Sequence, residues 1–196
     1  MVGGLVATII LAAGLSRRFG SDKLQADLGG KPLVRYTSDA ILGLMREIGV
    51  ADVRLVVPPD FRVDIDPDIM IVTAADHADG LSASLRAGVA SLPPDADAAF
   101  IFLADMPFPP GAAILKRMIG PLTQGDAVRP SWQGRAGHPV LMGRDILAEI
   151  PRLTGDGGAK HLIAQGKCVL VEADDDGVLF DIDTPEDLAA ASLRRR

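Results

Sequence analysis

The sequence is poor in cysteine, in aromatic residues and in positive charge. Its 196 residues include one cysteine, 4% aromatic residues and a formal net charge of −6. A lone Cys168 excludes a disulfide within the chain and a zinc site built from several thiolates, and we expect it to be a small core residue. The negative net charge argues against a nucleic-acid partner, because proteins that bind nucleic acids usually present a basic surface.

The sequence also lacks a long hydrophobic run. The apolar stretch within residues 1–14 is too short to span a bilayer. Arginines follow this stretch instead of preceding it, which is not the pattern of a secretory signal peptide. We therefore expect a cytoplasmic protein with no membrane partner.

Short apolar runs alternate with segments of helical periodicity along the first two thirds of the chain. Strands are predicted over residues 5–12, 52–58, 69–74 and 98–104. Helices are predicted over residues 32–49, 81–92 and 111–122. Continuously apolar strands are typical of parallel strands that helices cover on both faces. The alternation therefore predicts an α/β fold with a doubly wound, mostly parallel, Rossmann-like sheet and helices on both faces.

The last third of the chain is less regular. Two short strands are predicted within residues 126–143, around a turn at Gln133-Gly134. Further helices are predicted over residues 144–150 and 157–165, and further strands over residues 168–174 and 178–183. In the last helix, Thr184 is the expected N-cap and Pro185 the expected first helical residue. Because no repeat or long linker divides the sequence, residues 1–196 are predicted to form a single domain.

A cationic, glycine-containing loop follows the first predicted strand, in the segment LAAGLSRRFGSDK at residues 11–23. Gly14 and Gly20 allow the backbone to turn and to point several N–H groups at one place, and Ser16 adds a hydroxyl group. Arg18 and Lys23 add positive charge that suits phosphate oxygens. Ligands of open α/β sheets bind at the carboxyl ends of the strands, so the loop predicts a polyphosphate site. A solvated basic turn is the alternative.

The same loop carries the pattern L-A-A-G-x-S-x-R-x-G-x-x-K, which resembles the signature of the MobA-like nucleotidyltransferases. This family includes molybdenum cofactor guanylyltransferases and cytidylyltransferases. The resemblance implies a fold of the nucleotide-diphospho-sugar-transferase type, with Arg18 and Lys23 as catalytic residues that hold the triphosphate. It also implies nucleotide contacts from residues of the pattern, namely Leu11, Ala12, Ala13, Gly14, Ser16, Gly20 and Lys23. Phe19 replaces the methionine that is usual in the family and keeps an apolar side chain there.

Ala13 bears on the choice of base. Guanylyltransferases of the family tend to carry A-G-G where this chain has A-A-G. The additional methyl group of Ala13 would crowd the larger guanine and favours cytosine. The predicted nucleoside triphosphate is therefore CTP.

A second segment of the family is matched by Gly80, Leu81, Ser82 and Ser84. In the family this segment lies against the base and the ribose, so the resemblance implies nucleotide contacts from these four residues. A glycine followed by serines at the start of a helix would present amide and hydroxyl groups toward the strand ends. An ordinary N-capped helix would explain the serines equally well.

Two aspartates resemble the metal ligands of the family. Asp105 follows a buried strand, where a carboxylate is costly unless it is paired or bound to a metal. Asp183 lies in the segment DIDTPEDL, and Asp181 is predicted to lie on the same face of a strand as Asp183. The resemblance implies that Asp105 and Asp183 bind Mg²⁺ and that Asp105 is catalytic. The alternatives are a helix-capping role for Asp105 and a solvent-facing position for Asp183.

Two further segments, RAGHPVLMGRDI at residues 135–146 and LTGDGGAKHLI at residues 153–163, resemble the cytidylyltransferase branch of the family. They suggest His138 and Asp156 as residues that contact the acceptor substrate. Gly137 and Pro139 flank His138 and predict an exposed turn. Pinning of that turn is therefore the alternative role of the histidine.

The resemblance as a whole implies a Mg²⁺-dependent nucleotidyltransferase. Such an enzyme moves a nucleoside monophosphate from a nucleoside triphosphate, here CTP, to a phosphorylated acceptor and releases pyrophosphate. The implied acceptor is the molybdenum-pterin cofactor. Two alternatives stay open: an enzyme of the same fold that acts on another phosphorylated small molecule, and a cofactor-binding chaperone that serves a partner molybdoenzyme.

Overall fold

The computed structural model describes residues 4–13, 19, 23–122, 126–155 and 158–195. Its strands are β1 (Leu5–Leu11), β2 (Asp52–Val57), β3 (Met70–Thr73), β4 (Ala96–Leu103), β5 (Ala127–Trp132), β6 (Arg135–Ala136), β7 (Val140–Gly143) and β8 (Cys168–Glu172). Its α-helices are α1 (Leu33–Ile48), α2 (Leu81–Ala90), α3 (Ala112–Ile119), α4 (Arg144–Glu149), α5 (Lys160–Gln165) and α6 (Pro185–Arg194). Within these described ranges, no helix combines the length and the apolar character needed to cross a bilayer.

One sheet contains all of these strands, and its first half is entirely parallel. The strand order is β3-β2-β1-β4-β7-β5-β6, and β8 pairs in parallel with β5. β1 pairs in parallel with β2 and β4, and β2 pairs in parallel with β3. β7 runs antiparallel to its neighbours β4 and β5. The predicted fold class, a doubly wound α/β sheet with mostly parallel strands, is confirmed.

Both faces of the central strands are buried. Ile9 and Ile10 of β1 are fully buried but belong to two separate core clusters, and Phe100 and Ile101 of β4 divide in the same way. Successive side chains of a strand point to opposite faces of the sheet. Helices α1 and α3 cover one face, and α2 and α4 cover the other. This double cover explains why the strands show no alternation of polar and apolar residues.

The first four strands and the first three helices lie within three residues of their predicted limits. Pro32 is the N-cap of α1, so the helix begins one residue later than predicted, at Leu33. Gly49 ends α1 with a φ of 80°, a conformation that favours glycine. Cys168 is a partly buried residue of β8 that packs against the core, as expected.

The last third of the chain departs further from the prediction. Residues 126–143 contain three strands (β5, β6 and β7) instead of two, and α5 begins at Lys160. The predicted strand over residues 178–183 is wrong, because a 3₁₀ helix occupies Asp176–Leu179 and residues 180–183 belong to no strand. The Asp175 carboxylate accepts a hydrogen bond from the Gly177 N–H at 2.7 Å and caps this turn. Such a local bond competes with strand pairing.

Two helical glycines are expected to respond in opposite ways to replacement by alanine. A Cβ atom at Gly88 of α2 would lie 2.8 Å from Cγ2 of Ile9, whereas a Cβ atom at the exposed Gly43 of α1 would meet nothing within 4 Å. Gly88→Ala is therefore expected to lower the free energy of unfolding by about 1–3 kcal/mol through overpacking. Gly43→Ala is expected to raise it by roughly 0.5–1 kcal/mol. Urea unfolding measures both changes, and a stabilised Gly88→Ala variant would contradict the close packing of α2 on β1.

Candidate active site

The predicted catalytic residues that the structure describes meet near the carboxyl ends of β1 and β4. Asp105 lies two residues after β4, and Lys23 is the first residue of the 3₁₀ helix Lys23–Gln25. Asp183 directly precedes Thr184, the N-cap of α6. Three distant segments of the chain therefore bring three charged side chains together at one edge of the sheet.

Lys23 forms a bridge between the two aspartates. Its Nζ donates hydrogen bonds to Oδ2 of Asp105 at 2.7 Å and to Oδ1 of Asp183 at 2.9 Å. The Lys23 side chain is 11% exposed, whereas those of Asp105 and Asp183 are 24% and 33% exposed. The structure thus places the ammonium group between the two carboxylates that the sequence assigned to a metal ion.

The electrostatics of this bridge keep Lys23 charged. Burial acts to lower the pKa of Lys23, but the carboxylates of Asp105 and Asp183 raise it, and the net pKa lies above its ordinary value. Lys23 is therefore a cation at neutral pH, held by two anions in a partly dehydrated position.

The N-terminus of α6 fixes the backbone that carries Asp183. Oδ2 of Asp187 accepts hydrogen bonds from the Asp183 N–H at 3.1 Å and from the Thr184 N–H at 2.8 Å. The hydroxyl group of Thr184 accepts in return from the Asp187 N–H at 3.2 Å, which completes a capping box. The Thr184 hydroxyl group also donates to Oδ2 of Asp187 at 2.8 Å, and this bond, with smaller effects of the two N–H groups, holds the pKa of Asp187 below its ordinary value. The predicted start of the last helix is confirmed.

A further carboxylate lies beside the bridge. Burial raises the pKa of Asp181, and the negative charges of Asp183 and Asp105 raise it further. Backbone pairing also ties this segment to the end of β4, because the Ile182 N–H donates to the Asp105 carbonyl at 2.9 Å. The segment is therefore held next to β4 without being a strand of the sheet.

The bridge has the chemistry of a divalent-metal site. Two carboxylates that already hold a cation offer the oxygen ligands that Mg²⁺ prefers. In the described ranges, no group of three or more histidine, cysteine, aspartate or glutamate side chains is placed to hold a metal. A Mg²⁺ ion on Asp105 and Asp183 would therefore need other ligands, which water and substrate phosphates commonly supply.

Several predicted nucleotide and acceptor residues lie outside the described ranges. They are Gly14, Ser16, Arg18, Gly20 and Asp156. Their assigned roles stay predictions.

Ala12 and Ala13 are described and continue the line of β1. The Ala12 N–H donates to the Val56 carbonyl at 2.8 Å, which extends the pairing with β2 past the end of the strand. Ala12 and Ala13 are each 3% exposed and pack on opposite faces of the sheet. Ala13 shares its face with Leu11 and with α2. The methyl group of Ala13, which was predicted to select the base, therefore lies on the same face of the sheet as the segment that begins at Gly80.

The segment at the start of α2 differs from its expected arrangement. Gly80 is the N-cap, with a φ of 96°, and no side chain caps the helix. Ser82 and Ser84 are buried: the Ser82 hydroxyl group lies 3.5 Å from the Thr154 carbonyl, and the Ser84 hydroxyl group has no partner within the described residues. Neither serine caps the helix, so the alternative explanation of the serines as N-caps is wrong. Leu81, by contrast, is 37% exposed.

A cavity of about 300 Å³ opens beside this segment, on the face of the sheet that α2 covers. Leu11, Leu81 and His138 line it, as do hydrophobic residues of β4 and β7 and part of α5. The cavity therefore brings together two residues predicted to contact the nucleotide and one predicted to contact the acceptor.

His138 does not lie in the exposed turn that its neighbours predicted. A Cβ atom at Gly137 would lie 2.2 Å from the Val178 carbonyl oxygen, and the His138 N–H donates to that carbonyl at 2.9 Å, so the segment packs against the 3₁₀ turn. Burial, with a smaller effect of the Arg129 charge, lowers the pKa of His138 to about 4. The imidazole is therefore neutral at pH 7. Its Nδ1 is buried without a hydrogen-bond partner in the described part of the chain.

Sequence reasoning missed Arg129, which also lines the cavity. Arg129 is partly buried in β5, where Nε donates to the Gly137 carbonyl at 3.0 Å and Nη2 to the Ala136 carbonyl at 3.3 Å. Burial lowers the pKa of Arg129 below its ordinary value. An arginine inside an otherwise apolar strand was the available signal, since a partly buried charge needs a partner.

Comparison with known proteins identifies the family. A family model described as the MobA-like NTP transferase domain matches residues 8–169. The chain is 28% identical over 187 residues to the molybdenum cofactor cytidylyltransferase of Escherichia coli (strain K12), covering 95% of each protein. It is 27% identical over 190 residues to the purine catabolism protein PucB of Bacillus subtilis (strain 168), covering 91% of this chain and 92% of that protein.

Solved structures agree on the fold. Rv0371c of Mycobacterium tuberculosis H37Rv superposes with a TM-score of 0.80 at 24% identity, over 98% of this chain and 100% of that chain. The 4-diphosphocytidyl-2C-methyl-D-erythritol synthase of Anaerococcus prevotii superposes with a TM-score of 0.74 at 16% identity, over 99% and 100%. Both likenesses support the predicted sheet of the nucleotide-diphospho-sugar-transferase type. The family resemblance is confirmed: this chain belongs to the MobA-like NTP transferases and is a nucleotidyltransferase.

Proposed function

We propose that this nucleotidyltransferase moves cytidine monophosphate from CTP to the phosphate of the molybdenum-pterin cofactor, with Mg²⁺ bound. The observation that carries the proposal is the meeting of Lys23, Asp105 and Asp183 at the strand ends. It joins one cation suited to phosphate oxygens with two carboxylates suited to a metal ion. Similarity to a molybdenum cofactor cytidylyltransferase over 95% of the chain supports the choice of nucleotide and acceptor.

The reaction is a displacement at the α-phosphorus of CTP. An oxygen of the acceptor phosphate forms the new P–O bond, and the bond to the leaving pyrophosphate breaks. The acceptor phosphate is already an anionic nucleophile, so the reaction needs no covalent enzyme intermediate. The protein has to hold two anions in line and neutralise the charge that develops on the leaving group.

Each described residue has a separate part in this reaction. Lys23 leaves the two carboxylates when the triphosphate binds, and its raised pKa keeps it cationic for that contact. Asp105 and Asp183 would hold Mg²⁺, which would supply positive charge at the reacting phosphates. Asp187 keeps the backbone of Asp183 in place. Arg18 is proposed to hold the triphosphate together with Lys23.

The base and ribose are proposed to lie between the end of β1 and the start of α2. Gly80 and the partly exposed Leu81 contact the nucleotide in this proposal. Ser82 and Ser84 are buried in α2, and the nucleotide contacts predicted for them stay predictions. Ala13 narrows the space for the base from the β1 side.

Thermal unfolding with nucleotides and Mg²⁺ tests the choice of base. At equal concentrations CTP is expected to raise Tm more than GTP or ATP, because, of two ligands that bind only the folded state, the tighter one stabilises it more. Ala13→Gly is expected to reduce the difference between CTP and GTP. Ala99→Gly is the matched control, since it removes a methyl group from the same core cluster in β4, away from the strand ends. If GTP with Mg²⁺ stabilised the wild-type protein and CTP with Mg²⁺ did not, the choice of CTP would be wrong.

Pyrophosphate release separates the proposal from its rival, a cofactor chaperone without transferase activity. With CTP, Mg²⁺ and the molybdenum-pterin cofactor, the proposed enzyme releases pyrophosphate, whereas a pure chaperone releases none. A molybdoenzyme that receives the cofactor, with or without the added nucleotide, is a compatible partner in either case.

A further inference from the structure

The cavity beside the start of α2 has apolar walls on two sides. Ile101, Val140 and Met142 line it from the sheet, and Leu85 of α2 and Ile163 of α5 line it from the helices. At about 300 Å³ it has the size of a small ligand pocket. Such walls bury the faces of a ring without offering hydrogen bonds to it.

Two cations line this apolar space: Lys160 of α5 is exposed, whereas Arg129 is partly buried. Arg129 lines the cavity, and its Nε and Nη2 are held by two backbone carbonyls. No ion pair joins Arg129 to a carboxylate among the residues that the structure describes. A partly buried guanidinium group that has no anionic partner is costly, and an anionic ligand would remove that cost.

The neighbouring histidine adds a neutral polar group. His138 lines the cavity, and its buried Nδ1 lacks a partner within the described ranges. Because the imidazole is neutral at pH 7, it can hydrogen-bond a ligand without adding charge. Arg129 and His138 therefore bring a cation and a neutral polar group to the same cavity.

We propose that this cavity binds the acceptor as a planar ring that carries an anionic group, with the ring between the apolar walls and the anion paired with Arg129. The proposal rests on the proposed function in taking the occupant to be the acceptor. It adds a second anionic group to the acceptor, besides the phosphate that reacts near Asp105. Arg129 is then a specificity residue, and its two carbonyl bonds orient it before the ligand arrives.

Two fluorescent pterins test this pairing without nucleotide or metal. Pterin-6-carboxylate has a ring and an anionic group, and 6-methylpterin has the ring without the charge. Fluorescence titration is expected to show that the wild-type protein binds pterin-6-carboxylate at least about tenfold more tightly, as a charge-assisted hydrogen bond in a dehydrated site allows. Arg129→Gln is expected to abolish this preference and leave binding of 6-methylpterin unchanged.

A matched control and a charge-conserving variant complete the test. Arg62 also donates to backbone carbonyls but is exposed, so Arg62→Gln is expected to keep the full preference. Arg129→Lys keeps the charge and is expected to retain part of the preference, which maintains the test should Arg129→Gln not fold.

Three results would overturn the proposal. They are failure of the wild-type protein to bind pterin-6-carboxylate, equal binding of the two pterins, and a preference that survives in folded Arg129→Gln. CTP binding with Mg²⁺, measured on the same proteins, is expected to be equal in wild type and Arg129→Gln. Failure of the wild-type protein to bind CTP would contradict the proposed function alone, because the pterin titrations contain no nucleotide.

Discussion

Asp105→Asn is expected to lower the rate of pyrophosphate release by at least about a thousandfold, which corresponds to about 4 kcal/mol of transition-state stabilisation. The substitution keeps the shape of the side chain and removes the negative charge that is proposed to bind Mg²⁺. Loss of a metal ligand removes positive charge from the place where negative charge develops on the leaving group. The fold is expected to persist, because Lys23 keeps its hydrogen bond to Asp183 at 2.9 Å.

The assay for this variant uses CTP, Mg²⁺ and the molybdenum-pterin cofactor, with release of pyrophosphate as the measured quantity. Asp174→Asn is the matched control, since Asp174 is an exposed aspartate after β8 and is expected to be dispensable. Thermal unfolding of both variants shows that they are folded. Near-normal turnover in Asp105→Asn would show that the metal assignment is wrong.

Lys23→Met is expected to have two effects of opposite sign. Turnover should fall by at least about a hundredfold, because a cation that neutralises the triphosphate is lost. Affinity for Mn²⁺ in the absence of nucleotide should rise by at least about tenfold, because the ammonium group no longer competes for Asp105 and Asp183. A residue that only stabilised the fold would not produce tighter metal binding when removed.

Titration of Mn²⁺ followed by electron paramagnetic resonance measures the second effect. Lys116→Met is the matched control, because Lys116 is an exposed lysine of α3 and the substitution changes the net charge by the same amount. Lys23→Arg keeps the charge and is expected to bind free Mn²⁺ as weakly as the wild-type protein. If Lys23→Met bound Mn²⁺ no better than wild type, the ammonium group would not be the competitor that the structure indicates.

The hydrophobic pattern was enough to predict the first half of the fold. Strands buried on both faces carry long apolar runs, and β1, β2 and β4 have this pattern. The edge strand β3 also carries an apolar run, although Met70 and Ile71 are exposed. The same pattern failed for residues 178–183, because apolar residues can pack equally well from a turn. There the bond between the Asp175 carboxylate and the Gly177 N–H selects a 3₁₀ helix. The spacing of apolar residues along the sequence carries no information about a local side-chain hydrogen bond of this kind.

The sequence predicted which residues belong to the candidate site, but not the hydrogen bonds that join them. Asp105 and Lys23 could be expected near each other because parallel strands end at one edge of the sheet, whereas the metal role of Asp105 was implied by the family resemblance. The bridge from Lys23 to both aspartates depends on tertiary distances, and the sequence assigned the lysine to the triphosphate instead. In the protein without substrate, the Lys23 ammonium group occupies the position between Asp105 and Asp183 that was predicted for the metal ion. The lysine and the metal ion would therefore compete for the same two carboxylates.

The acceptor side was the least predictable part. Gly137 and Pro139 next to His138 have the composition of an exposed turn, yet the Val178 carbonyl lies where a side chain of residue 137 would be. A glycine required by close packing and a glycine required by a turn look the same in a sequence. Arg129 stood out only as a charge in an apolar strand, and its relation to the cavity required the structure.

A crystal structure with CTP and Mn²⁺ tests the central claim most directly, because the anomalous signal of manganese locates the ion. The account predicts Mn²⁺ coordinated by the carboxylates of Asp105 and Asp183, with the Lys23 ammonium group moved from between them onto the triphosphate. A structure in which Lys23 still bridges the two aspartates, while Mn²⁺ and the triphosphate bind elsewhere, would contradict it.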